Sequence, residues 1–224
     1  MTSPSYALDA PDKSTLQPPV RGARSFIGVV MTTWFLIVLA LASMGTFYDK
    51  PGELPISIFW ANAVPLTLFI GLYAFSSWVR AVVRSLDLSL LAGLHAIRTL
   101  GLSFLVLAGI AQLPWLFAIP AGVGDIMVAL SAPFIALYAA KQVGFIASNR
   151  FLWWNIFGLL DFFVAVGTGS ASRLIGPEVL GASMDPMSTL PLVMIPAFTV
   201  PMFIITHIIM LMRAFEARKN QHAS

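Results

Sequence analysis

His95 and Arg98 stand three residues apart in GLHAIRTLG, between flanks that are apolar enough to cross a membrane. Residues three apart share a helix face, so the imidazole and the guanidinium point the same way. Other polar groups recur at comparable depth in neighbouring apolar segments: Asp125, Asn155, Asp161 and His207, with Asn62 nearer the N-terminus. A charged residue at the centre of a membrane helix costs about 2.5–3.5 kcal/mol on insertion scales. Arg98, Asp125 and Asp161 facing lipid would together cost on the order of 8–10 kcal/mol, so they must meet one another or a wet cavity. Pairing of Arg98 with Asp125 or Asp161 is the expected solution, with His95 extending the network. One guanidinium against two carboxylates leaves one negative charge over. Two carboxylates in a low dielectric seldom both ionise without compensation. A proton held on one Asp, or a cationic His95, is expected, titrating as a coupled system. The chemistry open to such a group is proton relay or the anchoring of a small solute. The structural alternative is an ion pair that only sets helix register.

These side chains need membrane helices to hold them. Only 10% of the 224 residues are charged and 58% are hydrophobic, whereas a soluble domain averages about 25% charged. The absence of cysteine excludes disulfides, thiolate metal sites and cysteine nucleophiles. A helical span needs about 20 mostly apolar residues. Six segments qualify: 26–47, 56–79, 89–111, 115–140, 151–168 and 190–212. The expected fold class is all-α, a polytopic membrane bundle of six transmembrane helices over residues 26–214. Residues 1–25, polar and Pro-rich, read as a disordered tail without the pattern of a signal peptide. Residues 215–224 read as a second short tail. Pro114 and Pro120 leave a broken or re-entrant start to the fourth span open. In the sixth, Pro196 and Pro201 are expected to leave the carbonyls of Leu192 and Ala197 without their usual donors.

Small residues mark where the helices should touch. Gly122, Asp125, Ala129, Ala132, Ala136 and Ala140 follow steps of three and four, as do Asn155, Gly158, Asp161, Ala165 and Thr168. Such stripes let membrane helices approach closely. Residues 122–130, GVGDIMVAL, and 158–166, GLLDFFVAV, share the pattern G-x-x-D-x-x-V-A. In adjacent spans of opposite direction, that is the form of a small inverted repeat.

GVGD also resembles the Gly-x-Gly-Asp signature of the intramembrane aspartyl proteases, the presenilin-like and prepilin-peptidase-like enzymes, with Pro196-Ala197-Phe198 similar to the Pro-Ala-Leu element of the presenilin-like group. The resemblance implies an aspartyl hydrolase in which Asp125 is the second member of the dyad. The order departs from those families, because the partner at matching depth, Asp161, follows the motif. The Lys that follows the prepilin-type Asp is also missing, since Ile126 and Met127 stand there. A different alternative is haem: His95 and His207 lie at similar depth on two helices, as bis-imidazole ligation requires. Met184 and Met187 offer paired thioethers of the kind that bind Cu(I).

The leading expectation is a non-enzymatic membrane protein that handles a small solute or protons through His95, Arg98, Asp125, Asp161 and Asn155. No cofactor or metal is expected unless His95 and His207 hold haem. The expected partners are the lipid bilayer and a second copy in a homodimer, and no nucleic acid. The remaining alternative is a structural subunit. Lys and Arg set the orientation. Lys13, Arg21, Arg24, Arg80, Arg84, Lys141, Arg150, Arg213, Arg218 and Lys219 fall on one side, and only Lys50 and Arg173 on the other. Both termini are therefore expected on the cytoplasmic side of the inner (plasma) membrane. The cysteine-free background makes this testable. Single cysteines within residues 141–150 and at position 180 should label from the cytoplasmic and outer sides respectively. Labelling of position 180 from the inside alone would invert the topology.

Overall fold

The computed structural model of the chain describes residues 21–50 and 52–223. The expected disordered tail falls mostly outside the described residues. Among those described, all regular structure is helical. Six helical segments are long and apolar enough to span a membrane: Ala23–Ser43, Ile56–Phe75, Leu88–Gly109, Trp115–Lys141, Asn149–Ile175 and Ile195–Gln221. The chain is a multi-pass membrane protein. Outward faces carry large apolar side chains, such as Phe75 and Phe163, as lipid contact demands.

Several helix ends are set by local chemistry. Asp87 caps the third span by accepting from the Ser89 and Leu90 amides, and Ser148 caps the fifth by accepting from the Phe151 amide at 3.2 Å. Side-chain oxygens at such positions satisfy amides that a helix start leaves without partners. Ser76 interrupts the second expected segment. The helix stops at Phe75, and a short helix, Ser77–Arg84, follows in another direction.

The fifth span is not short, as hydropathy suggests. It continues through GSASR to Ile175 and stops before Gly176, whose φ of 85° favours glycine. The extension has a polar anchor. Buried Arg173 donates to the Asp49 carbonyl at 2.6 Å and to the Ser188 hydroxyl, while the Gly52 amide donates to the Arg173 carbonyl at 3.2 Å. This arginine ties the first loop, the end of the fifth span and the turn before the sixth into one cap.

The fourth span runs unbroken through both Pro120 and Pro133. The broken helix is the third, which contains no proline. Residues His95–Gly101 wind as a 3-10 helix between the α-helical pieces Leu88–Leu94 and Leu102–Gly109. The sixth span opens with a π-helical turn, Ile195–Thr199, which changes the expected carbonyl accounting. Leu192 is not left without a donor, because its carbonyl accepts from the Ile195 amide at 3.0 Å. In the π register Val200 donates to Ile195, and the next donor in line would be Pro201, which has no N–H. The carbonyl that loses its partner is therefore Pro196, and Asn62 of the second span donates to it through Nδ2 at 3.0 Å.

Packing divides the bundle into layers. At the end that carries the Arg84–Glu216 ion pair, Leu88, Ala92, Val128, Phe151 and Met210 form one apolar core. At the opposite end Phe104, Leu113, Phe117, Ala121, Met184 and Met187 form another. Met184 and Met187 thus serve as packing residues of that core. The polar residues of the third to sixth spans lie between the two.

Candidate functional site

The 3-10 winding decides which residues of the third span face inward. At three residues per turn, side chains at i and i+3 eclipse. His95, Arg98 and Gly101 therefore form one line, and all three are buried. In an α-helix Gly101 would be about 120° away from His95. Ile97 and Leu100, likewise three apart, share another side of the turn and are about half exposed.

Arg98 reaches both acidic residues rather than one. Its Nε donates to Asp125 Oδ1 at 2.7 Å and its Nη2 to Asp161 Oδ2. Nη1 faces the Gly158 carbonyl at 3.5 Å and His207 Nε2 at 3.4 Å. The guanidinium carbon lies 4.0 Å from the centroid of the Phe162 ring, close enough for a cation–π contribution. The cation is thus met around its edge by acceptors and on a face by an aromatic ring.

The histidines support this arrangement in defined tautomers, which follow from their partners. Asn155 donates through Nδ2 to the Phe151 carbonyl, so its Oδ1 accepts from His207 Nδ1 at 2.9 Å. His207 Nε2 then carries a lone pair toward Arg98. The Thr206 hydroxyl donates to the Phe203 carbonyl and so accepts from His95 Nε2 at 3.0 Å. His95 packs against His207 with ring centroids 4.0 Å apart and the planes tilted by 39°. It touches the network through that ring, not through Arg98 directly. Asn155 likewise enters only through His207.

The haem alternative fails on this geometry. An iron bound by both imidazoles would need to lie between them inside a porphyrin plane, and rings in contact with centroids 4.0 Å apart leave no slot. Both nitrogens of His207 already face partners. The dyad geometry implied by the Gly-x-Gly-Asp resemblance is also altered, because one guanidinium holds both carboxylates.

Glycines supply the space. A Cβ on Gly101 would overlap the Asp125 side chain, one on Gly124 the Asp161 carboxylate, and one on Gly158 the His207 ring. Of these, the stripe pattern singles out only Gly158. Gly101 and Gly124, with Phe162, Thr206 and Phe203, are site residues that spacing did not reveal. The GVGD motif held the hint for Gly124, since its second glycine belongs to the site as much as its aspartate.

Above the carboxylates lies a cavity of about 90 Å³. Asp125 and Asp161 line its inner part with Phe104, Phe117 and Phe162, and Asn62 and Arg173 also contribute to its wall. A second, smaller crevice of about 20 Å³ reaches Arg98 and Asp125 between the 3-10 turn and the π turn.

A family model described as a domain of unknown function (DUF8737) matches residues 55–215. The chain belongs to this family. The DUF8737 match includes the second to fifth spans, the sixth as far as residue 215 and every residue of the buried cluster, and leaves out the first span. No curated protein and no solved structure matches the chain.

Two outcomes follow for stability. Because Arg98 bridges both acids, Asp125→Asn or Asp161→Asn alone still leaves it one carboxylate, and each should cost no more than about 1.5 kcal/mol. The double variant leaves a buried cation unpaired and should lose about 3–5 kcal/mol, more than the two singles combined. Unfolding of all three in detergent checks this, and simple additivity would mean that the carboxylates do not share the arginine. Gly124→Ala should destabilise by about 1–3 kcal/mol through overpacking. Gly167→Ala, where a Cβ meets nothing within 4 Å, should be neutral or stabilising by up to about 1 kcal/mol. Equal behaviour of the two alanine variants would remove the steric account.

Proposed function

We propose that this DUF8737 chain handles protons, alone or together with a small solute, at the Arg98–Asp125–Asp161 group. The observation that carries the proposal is that both carboxylates line a cavity while sharing a single guanidinium. With His207 and His95 placed as neutral hydrogen-bonding rings, one negative charge remains uncompensated. In a low-dielectric layer between two apolar cores, that excess is most cheaply removed by a proton held across the pair. Ionisable groups inside a membrane typically mark proton or substrate pathways.

The setting belongs to the same proposal. The protein resides in the inner (plasma) membrane with both termini cytoplasmic, on the strength of the Lys/Arg asymmetry. The cavity then opens from the outer half of the bundle, where Arg173 and Ser188 stand. A second copy completes a transporting unit, because one bundle of this size offers little surface for alternating access. A hydrolase draws less support. The acid at matching depth, Asp161, follows the Gly-x-Gly-Asp motif instead of preceding it, and a cation bridging the two acids is no part of an aspartyl dyad.

Infrared difference spectra of the reconstituted protein across a pH step test the proposal. A protonated-carboxyl band should rise as pH falls. It should be lost in Asp125→Asn and in Asp161→Asn, since either change brings the cluster to charge balance. A wild-type spectrum with no titrating band sensitive to these residues would reduce the cluster to packing.

A further inference from the structure

The cavity also carries information about what it would accept. Toward its inner end the unspent polar atoms are acceptors, while the Ser170 and Ser188 hydroxyls and Arg173 line the wall farther along. Asp125 and Asp161 each commit one oxygen to Arg98, and the donors along the arginine's edge are turned to Asp125, Asp161, Gly158 and His207. Asn62 has only one possible orientation, because its Nδ2 donates to two carbonyls, Ile58 at 2.9 Å and Pro196 at 3.0 Å. Its Oδ1 is buried and has no partner. Asn62 lines the same cavity. A buried acceptor without a donor is destabilising, a penalty that a donating ligand would recover.

The rest of the inner wall is apolar and aromatic, including Phe104, Phe117, Phe162 and Ile195. Aromatic faces attract cations and the apolar surface favours a hydrocarbon body. Arg173 does not reverse this preference. It stands twelve residues beyond Asp161 on the same helix, about 18 Å away, and its Nη atoms donate to Asp49 and Ser188. About 90 Å³ is room for roughly six water-sized positions, which suits a short molecule.

We propose that the cavity binds a small primary ammonium with an apolar body, its N–H groups directed to Asp125, Asp161 and Asn62. The ligand deepens the proton-handling proposal and rests on it, since an ammonium and a proton would compete for the same excess charge.

The probe is n-butylamine, with n-butanol and butyrate as matched controls, added to the full chain in detergent at neutral pH. Butylamine should raise the unfolding temperature saturably, and neither control should do so. Its dissociation constant should rise at least tenfold in Asp125→Asn and in Asp161→Asn. It should also suppress the titrating carboxyl band of the wild type. Equal stabilisation by butanol, or no saturable effect of butylamine, overturns the ammonium assignment. If the carboxyl band still titrates in that case, proton handling stands without the amine. If the band is also absent, both proposals fall. The butylamine–butanol comparison uses the wild-type chain, so it decides the question even if a variant fails to fold.

Discussion

A guanidinium held away from water between two apolar cores constrains everything around it. Arg98 offers its donors in a fixed, planar fork. Two helices bring carboxylates to that fork, a third brings an imidazole, and an aromatic ring covers one face. Each of these needs room at the helix contact, which explains the glycines at 101, 124 and 158. These glycines therefore do more than let backbones approach. They leave volume into which a polar side chain of the next helix fits.

Irregular backbone gathers at the same level. The 3-10 turn of the third span and the π turn of the sixth both border the crevice beside Arg98 and Asp125. Neither arises from a simple proline kink. The π turn accommodates Pro201 by moving the lost hydrogen bond to Pro196, where Asn62 can supply it. The second span, which has no buried residue of its own, is thereby fixed to the sixth by a polar contact. The same asparagine is left with a buried oxygen that has no donor.

Much of the architecture was legible in the sequence because hydropathy reports the cost of crossing a bilayer. All six spans follow from it, and the arithmetic of buried charge brings Arg98 together with the aspartates. The errors have physical causes. Hydropathy ends the fifth span at Thr168, but a helix continues wherever its backbone stays hydrogen-bonded and its polar side chains find partners, as Arg173 does. Proline pointed to a break in the fourth span, yet neighbouring helices tolerate Pro120 while the third span winds tightly without one. The equal depth of His95 and His207 is real, but depth alone does not distinguish two rings that flank a metal from two that pack against each other. Whether Arg98 would serve one acid or both depends on a fork geometry that no spacing rule contains.

The 3-10 turn has a mechanical consequence. A residue rises about 2.0 Å in that winding and about 1.5 Å in an α-helix. Across the seven residues His95–Gly101 the difference is about 3.5 Å of span length, and relaxing to α winding would twist one end against the other by about 140°. Span three thus behaves as an overwound screw clamped at its middle. Arg98, fastened to two other helices, is the pin that stops it from unwinding, so the length of this span and the integrity of the charge cluster are one variable.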